Sequence, residues 1–269
     1  MSAFGQRVAL VTGGARRIGA AIVERLAQRG YSVVLHTSAR SEGDANALVT
    51  RLQREKVSVS RVIADLANIQ EVGELLVNAA RVFGPIDLLV NNASIFEGDT
   101  LATFDPALFE RSQAINLRAP LMLAKDFAAQ ARTDQDASII NLLDQRVLSP
   151  KPLYLSYTLS KAALGTATRM LAQELAPHIR VNAVAPGPVL PNELEGPERF
   201  EAEVAQVPLA RPVSLEAVAD AVDYLARARS VTGQIVAVDS GQHLAWRTPD
   251  VLASMGSGDV SQRWEDAGS

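Results

Sequence analysis

"RVALVTGGARRIGAAIVERLAQRGY", residues 7–31, joins a short apolar run, a glycine-bearing turn and a longer amphipathic stretch without interruption. The run at 7–12 is apolar without alternation, which reads as a strand buried on both faces. From 16 to 29 the apolar residues recur at helical spacing, and Gly30 supplies the stop. Between them lies "TGGARRIG", residues 12–19. A turn of this kind lets the backbone approach a ligand closely and aims N–H groups and a helix dipole at an anion such as a pyrophosphate. A buried strand feeding a helix in this way is the opening unit of a doubly wound α/β domain.

The same alternation continues outward. Further strands are predicted at 32–36, 58–63, 87–91, 138–143, 179–185 and 234–238, roughly seven in all with the first. Helices are predicted at 43–55, 68–83, 105–131, 155–177 and 214–228, with Pro177 closing the fifth of the chain. The fold class is therefore α/β, a three-layer Rossmann arrangement on a parallel sheet. Aromatics make up only 5% of the 269 residues, against 48% hydrophobic overall, which suits helices packed on a buried sheet. One domain is expected over 1–247. Residues 187–212, with five Pro and two Gly, read as an irregular excursion beside the substrate. Residues 248–269 read as a polar tail whose first half lies over a neighbouring subunit.

A net charge of −4 gives no electrostatic footprint for nucleic acid or an anionic membrane, so a small-molecule partner is favoured. With no cysteine there is neither a disulfide framework nor a thiolate metal site, and His36, His178 and His243 lack metal-ligand spacing. No metal is expected. The start "MSAFGQRVALVTGG" has no basic segment followed by a long apolar run, and no segment reaches membrane-spanning length, so a cytoplasmic protein is expected.

The second strand ends "VVLHTSARSEGD", with no acid at its tip to bind a ribose 2′-hydroxyl. His36, Ser38, Arg40 and Ser41 are instead donors suited to a 2′-phosphate, which selects NADPH over NADH. Asp65, in "IADLAN", and "NNAS" at 91–94 fall just past the third and fourth strands, at the carboxyl edge where ligands collect.

"NLLDQRVLSPKPLYLSYTLSK", residues 141–161, brings the chemistry. Tyr157 and Lys161 are spaced i, i+4 and share one helix face. A phenol with a pKa near ~10 exchanges protons poorly at neutral pH until a nearby ammonium stabilises its anion. Thirteen residues before the Tyr stands Asp144, a carboxylate where a hydroxyl would be the ordinary partner.

Together these features identify a resemblance to the short-chain dehydrogenases/reductases over about residues 5–245. It rests on the turn at Thr12–Gly19, "NNAS", Asn116 in "INLRAP", Tyr157-x-x-x-Lys161, "PG" at 186–187 and "VTGQIVAVDSG" at 231–241. Two positions depart from the usual pattern: Arg17 replaces the middle glycine of the turn, and Asp144 replaces a serine. Both resemble the pteridine reductase branch, as do "LHTSARSEGDAN" and "NNASIF".

The resemblance implies hydride transfer from NADPH, with Tyr157 relaying a proton and Lys161 holding the nicotinamide ribose and lowering the Tyr pKa. Asn116 would hold a water, and Asp144 would bring the proton. The cofactor would rest on Thr12, Gly13, Arg17, Ile18, Gly19, His36, Arg40, Ser41, Asp65, Leu66, Asn92, Ala93, Lys161, Pro186, Gly187 and Val189. A pterin would meet Arg17, Ser94, Phe96, Asp144 and Tyr157, with Phe96 stacking on the ring opposite the nicotinamide. Pterin chemistry asks for an acid stronger than a serine hydroxyl, because a ring nitrogen is protonated as hydride reaches the adjacent carbon. A homotetramer packed through the two long helices and the last strand is implied as well.

Other readings stay open at this point. Asp144 caps the turn "DQRV" or pairs with Arg146, Phe96 packs as ordinary core, Ser94 serves a turn, and Arg17 is a solvated helix-start residue. At the level of function the alternatives are a carbonyl reductase of a sugar, polyol or acyl-thioester ketone and a non-enzymatic NADPH-sensing protein.

Overall fold

The computed structural model describes residues 6–131, 136–191 and 196–245. Seven parallel strands form one sheet: β1 (Val8–Val11), β2 (Ser32–Thr37), β3 (Val59–Ile63), β4 (Leu88–Asn91), β5 (Ala137–Leu142), β6 (Ile179–Pro186) and β7 (Ile235–Val238). Their order across the sheet is β3-β2-β1-β4-β5-β6-β7. Every residue of β1, β4, β5 and β6 is buried, as unbroken apolar runs require when helices cover both faces.

Alternation along each strand feeds two hydrophobic layers. Ala9 and Val11 pack with Ile22, Val23 and Leu26 of α1 (Arg17–Gln28), Leu48 and Leu52 of α2 (Glu42–Arg54), and the α8 helix (Leu215–Arg227). Val8 and Leu10 face the other way, onto Leu75 and Leu76 of α3 (Ile69–Phe83) and Leu123 and Phe127 of α5 (Ala119–Gln130). Full burial of side chains such as Ile22 and Leu26 contributes about 1.5–3 kcal/mol each. Gly30 ends α1 at φ +87, a left-handed stop that a residue with a Cβ adopts only with strain.

Two expectations are corrected. The helix predicted over 105–131 is instead α4 (Pro106–Gln113), a π-helical turn at Ala114–Arg118, and α5. Pro120 has no N–H to donate to the carbonyl of Asn116 four residues back, and the helix relaxes to the wider turn there. The second correction lies within 187–212, where α7 runs Gly196–Val204. The prolines of that stretch stand at its ends, Pro197 falls in a first turn where it is tolerated, and "ERFEAEV" between them is proline-free. The predicted tail at 248–269 lies outside the described residues.

The chain leaves β1 towards β2 and β3, then returns to β4 on the other side of β1. This reversal opens a crevice at the carboxyl ends of β1 and β4. Into it project the turns after β1 and β4, and next to it those after β5 and β6.

Candidate active site

The turn after β1 is sewn to the turn after β4. Thr12 Oγ1 accepts the N–H groups of Asn92 and Ala93, each at 3.0 Å. Asn92 Nδ2 donates to the carbonyls of Thr12 (2.9 Å) and Gly13 (3.0 Å). Gly19 fits only without a side chain: a Cβ there would lie 2.0 Å from the Gly13 carbonyl oxygen. α1 opens with no side-chain cap on its first N–H groups and no acid in its first turn. Open N–H groups, a dipole's positive end and no opposing carboxylate fit a pyrophosphate.

Arg17 sits at φ +51, a left-handed conformation that costs a non-glycine residue on the order of 1–2 kcal/mol. Its guanidinium donates from both terminal nitrogens to the Pro191 carbonyl at 3.4 Å. It thus reaches from the phosphate turn to the segment after β6. That segment begins at Gly187, where a Cβ would stand 2.7 Å from the Asp239 backbone. Val189 packs on the α1–α8 layer.

At the tip of β2, Arg40 and Ser41 occupy a short 3-10 turn, Ala39–Ser41, with Arg40 exposed. His36 does not join them. It is 2% exposed; Nδ1 accepts the Gly13 N–H at 3.2 Å, and Nε2 donates to the Ala64 carbonyl at 3.0 Å. The expectation of His36 as a phosphate donor is corrected, because both ring nitrogens are already spent inside the protein. This pattern is that of the neutral ring, and burial moves its pKa down. Asp65 accepts the Ala67 N–H at 2.9 Å and is exposed at the sheet edge, while Leu66 beside it is buried.

The acid–phenol pair comes from β5 and α6 (Leu155–Glu174). Asp144, just past β5, accepts the Arg146 N–H on Oδ1 at 2.8 Å, and Arg146 Nη1 lies 3.2 Å from both carboxylate oxygens. Tyr157 donates its hydroxyl to Asp144 Oδ2 at 3.1 Å. Capping, pairing with Arg146 and contact with Tyr157 therefore coexist in one carboxylate.

Burial, and after it the Asp144 charge, push the Tyr157 phenol well above its ordinary value, while Arg146 pulls it down. Lys161 is buried, with its Nζ donating to the Leu142 carbonyl at 2.7 Å and 5.9 Å from the Tyr157 ring centroid. Burial lowers its pKa to about 8, against the opposing pull of Asp144. The net direction at the phenol is upward, and Arg146 is the charge that pulls against it.

Asn116 lies on the π-helical turn, fully buried. Its Oδ1 accepts the Ile95 N–H at 2.9 Å and the Ser94 hydroxyl at 3.1 Å. Its Nδ2 donates to Ile95 O at 3.1 Å and to Ser160 Oγ at 3.0 Å, and Ser160 in turn donates to the Tyr157 carbonyl at 2.6 Å. The Asn116 side chain thus ties the loop after β4 to the Tyr157 helix.

Phe96, on that loop, is 37% exposed. It stacks on Tyr154 (centroids 4.3 Å apart, 6° between planes) and meets Tyr157 edge-on at 4.7 Å. One Phe96 face is therefore covered by an intramolecular ring, while part of the side chain remains exposed. Asp99, buried, holds this loop to the start of α6 by accepting the Ser156 N–H (3.0 and 3.2 Å) and the Ser156 hydroxyl (2.5 Å).

A short-chain type dehydrogenase/reductase of Picea abies is 34% identical over 252 residues, covering 89% of this chain and 93% of that protein. A family model described as enoyl-(acyl carrier protein) reductase matches residues 13–243. The chain belongs to the short-chain dehydrogenase/reductase family. Pteridine reductase 1 of Leishmania tarentolae is 36% identical over 285 residues, covering 88% of this chain and 96% of that protein. The solved structure of FolM alternative dihydrofolate reductase 1 from Brucella canis, complexed with NADP, superposes with TM-score 0.88 at 48% identity. That superposition covers 91% of this chain and 97% of the other. The resemblance to the pteridine reductase branch, drawn from Arg17 and Asp144, agrees with both relatives.

Within this short-chain reductase the structure brings Asp144, Tyr157, Phe96 and Ser94 to one end of the crevice and sets Lys161 one turn along α6. Arg17 is on the phosphate turn and reaches the Pro191 carbonyl after β6. Sequence reasoning passed over Tyr154, Asp99 and Ser160. Tyr154 carried a usable signal, since a second tyrosine stands three residues before Tyr157. Asp99 carried none, because its partner Ser156 is 57 residues away.

Proposed function

We propose that this chain is an NADPH-dependent pteridine reductase that converts a dihydropterin, of the dihydromonapterin or dihydrobiopterin kind and with dihydrofolate as a further candidate, to the tetrahydro form. The observation that carries the reading is the 3.1 Å hydrogen bond from Tyr157 to Asp144 at the position where the family usually has a serine. The partly exposed Phe96 ring beside it suits a flat heterocycle, with a stacking contribution of roughly 0.5–1.5 kcal/mol beyond burial. Similarity to a pteridine reductase and to a FolM dihydrofolate reductase supports the same choice.

NADPH supplies the hydride when bound. The N–H groups at the start of α1 would hold its pyrophosphate, Arg40 and Ser41 would serve the 2′-phosphate, and Lys161 has two ammonium protons left for the ribose. Tyr157 passes its proton to the pterin ring nitrogen, and Asp144, at the hydroxyl, restores it from water. Burial keeps the phenol protonated before the transfer, and the downward pull of Arg146 eases release of the proton. Arg17, on the phosphate turn, would meet the polar edge of the pterin or the phosphates.

A homotetramer completes the reading. α6 presents small residues between exposed Leu159 (48%) and Met170 (63%), and β7 is an edge strand with half-buried residues. No helix among the described residues is long and apolar enough to cross a membrane, and we place the chain in the cytoplasm. The test of function is a panel of dihydropterins and of sugar, polyol and acyl-thioester ketones, with NADPH oxidation followed by absorbance. Dihydropterin turnover that falls at least tenfold in Asp144→Ser is expected; ketone turnover without pterin turnover refutes the assignment.

A further inference from the structure

Two cations stand near the Tyr157 phenol, and geometry separates them. Lys161 is bound to the Leu142 carbonyl, with its Nζ 5.9 Å from the ring centroid. Arg146 instead grips the group that touches the hydroxyl: Nη1 is 3.2 Å from each Asp144 oxygen, and its backbone N–H adds a 2.8 Å bond to Oδ1. The same guanidinium lies 5.0 Å from the Tyr154 centroid and 5.4 Å from that of Phe96. Those rings are parallel and 4.3 Å apart, so the guanidinium spans the stacked pair as well as the carboxylate. Its ionic partner is the carboxylate.

We propose that Arg146 is a positioning residue for proton transfer, holding Asp144 against the Tyr157 hydroxyl and offsetting the carboxylate's charge at that oxygen. This rests on reading Asp144 and Tyr157 as the proton-delivering pair. A carboxylate hydrogen-bonded to a phenol opposes loss of the phenolic proton, and a guanidinium on the same carboxylate relieves that opposition. The directions found at Tyr157 agree, with Asp144 raising its pKa and Arg146 lowering it. Of the other titratable groups near the pair, Lys161 is bonded to the Leu142 carbonyl and also feels the Asp144 charge without touching it, and Asp99 is bonded to Ser156. Arg146 side-chain exposure is 16% and that of Asp144 14%, so the pair is screened less than a surface ion pair. Arg146 thereby joins the acid to the aromatic platform, and a pterin bound on Phe96 meets an acid in fixed register.

The experiment compares Arg146→Gln and Arg146→Lys, each in the wild-type and Asp144→Asn backgrounds. Steady-state dihydropterin reduction, the solvent deuterium isotope effect on kcat, and NADPH affinity are measured. Arg146→Gln is expected to lower kcat about tenfold, with KM and NADPH affinity within about twofold and a larger isotope effect, one factor of ten being 1.36 kcal/mol of barrier. Arg146→Lys recovers most of the loss. In Asp144→Asn the Arg146→Gln change has no further effect. An equal, additive loss in both backgrounds, or a loss confined to KM, overturns the proposal. Should the wild type reduce no dihydropterin, the pterin reading falls by itself, and crystal structures decide the positioning. Asp144 displaced from Tyr157 in Arg146→Gln supports it, and Asp144 unmoved refutes it.

Discussion

His36→Leu is the perturbation that most directly tests how the cofactor cradle is held. The substitution removes two hydrogen bonds at once, leaving the Gly13 N–H and the buried Ala64 carbonyl without their ring partner. Each group left unsatisfied costs about 1–3 kcal/mol, so a loss of about 2–6 kcal/mol in unfolding free energy is expected in urea denaturation. Gly13 belongs to the turn itself, and its freedom is expected to weaken nucleotide binding about tenfold or more. The decisive readout is a ratio. A scaffold residue affects NADPH and NADH alike, whereas a 2′-phosphate ligand affects NADPH alone. Fluorescence titration of His36→Leu with both nucleotides should leave their affinity ratio unchanged, while Arg40→Ala collapses it. A collapsed ratio in His36→Leu would refute the corrected role.

Acidity adds a second arm to this test. Burial holds the folded-state pKa of His36 below its ordinary 6.5, so above that value the ring is neutral in both states and contributes no pH dependence. As pH falls below it, the unfolded chain takes up the proton first and stability declines, by at most about 1.4 kcal/mol per pH unit until the folded-state pKa is reached. The stability gap between wild type and His36→Leu should therefore narrow below about pH 6.5. A constant gap there would mean that the folded ring is not held neutral.

Glycine positions give opposite signs within one molecule. Gly19→Ala forces a Cβ to 2.0 Å from a backbone carbonyl and should abolish nucleotide binding and lower Tm; Gly43→Ala, in α2 with open space around it, should raise stability by about 0.5–1 kcal/mol. Asp99→Ala removes the acceptor at the start of α6 and should cost about 0.5–2 kcal/mol in denaturant unfolding. It should also lower kcat more than nucleotide affinity, since the Phe96 loop and Tyr157 lose their common tie; unchanged kcat would detach Asp99 from the site.

Much of this was legible in the sequence, for identifiable reasons. Unbroken apolar runs such as Val8–Val11 and Leu88–Asn91 can be satisfied only between two helical layers, and the glycines of the first turn carry their backbone demands openly. What escaped were properties that depend on contacts distant in sequence. His36 looked like a donor at a strand tip, and only the fold shows Gly13 and Ala64 on either side of its ring. α7 was hidden by proline counting, because composition averages over positions while helix formation depends on where each proline falls. The π-helical turn was foreshadowed by Pro120, four residues after Asn116, but helical periodicity alone carried the prediction straight through it.

Asp144 shows why the plain and the functional explanations of a residue need not compete. As the residue before a 3-10 turn it accepts the Arg146 N–H, a duty that serine performs about as well as aspartate. A chain needing only the cap could keep the family's usual serine. Asp144→Ser therefore retains a capping oxygen while removing the acid and the anchor for the Arg146 guanidinium. It should be less destabilised than Asp144→Ala by about 0.5–2 kcal/mol, the worth of the capping bond that only the serine keeps, while pterin turnover falls in both. Asp144→Ala removes both functions and cannot separate them. Should Asp144→Ser be destabilised as much as Asp144→Ala, the carboxylate is there for the turn and its ion pair, and the case for an acid aimed at a pterin nitrogen fails with it.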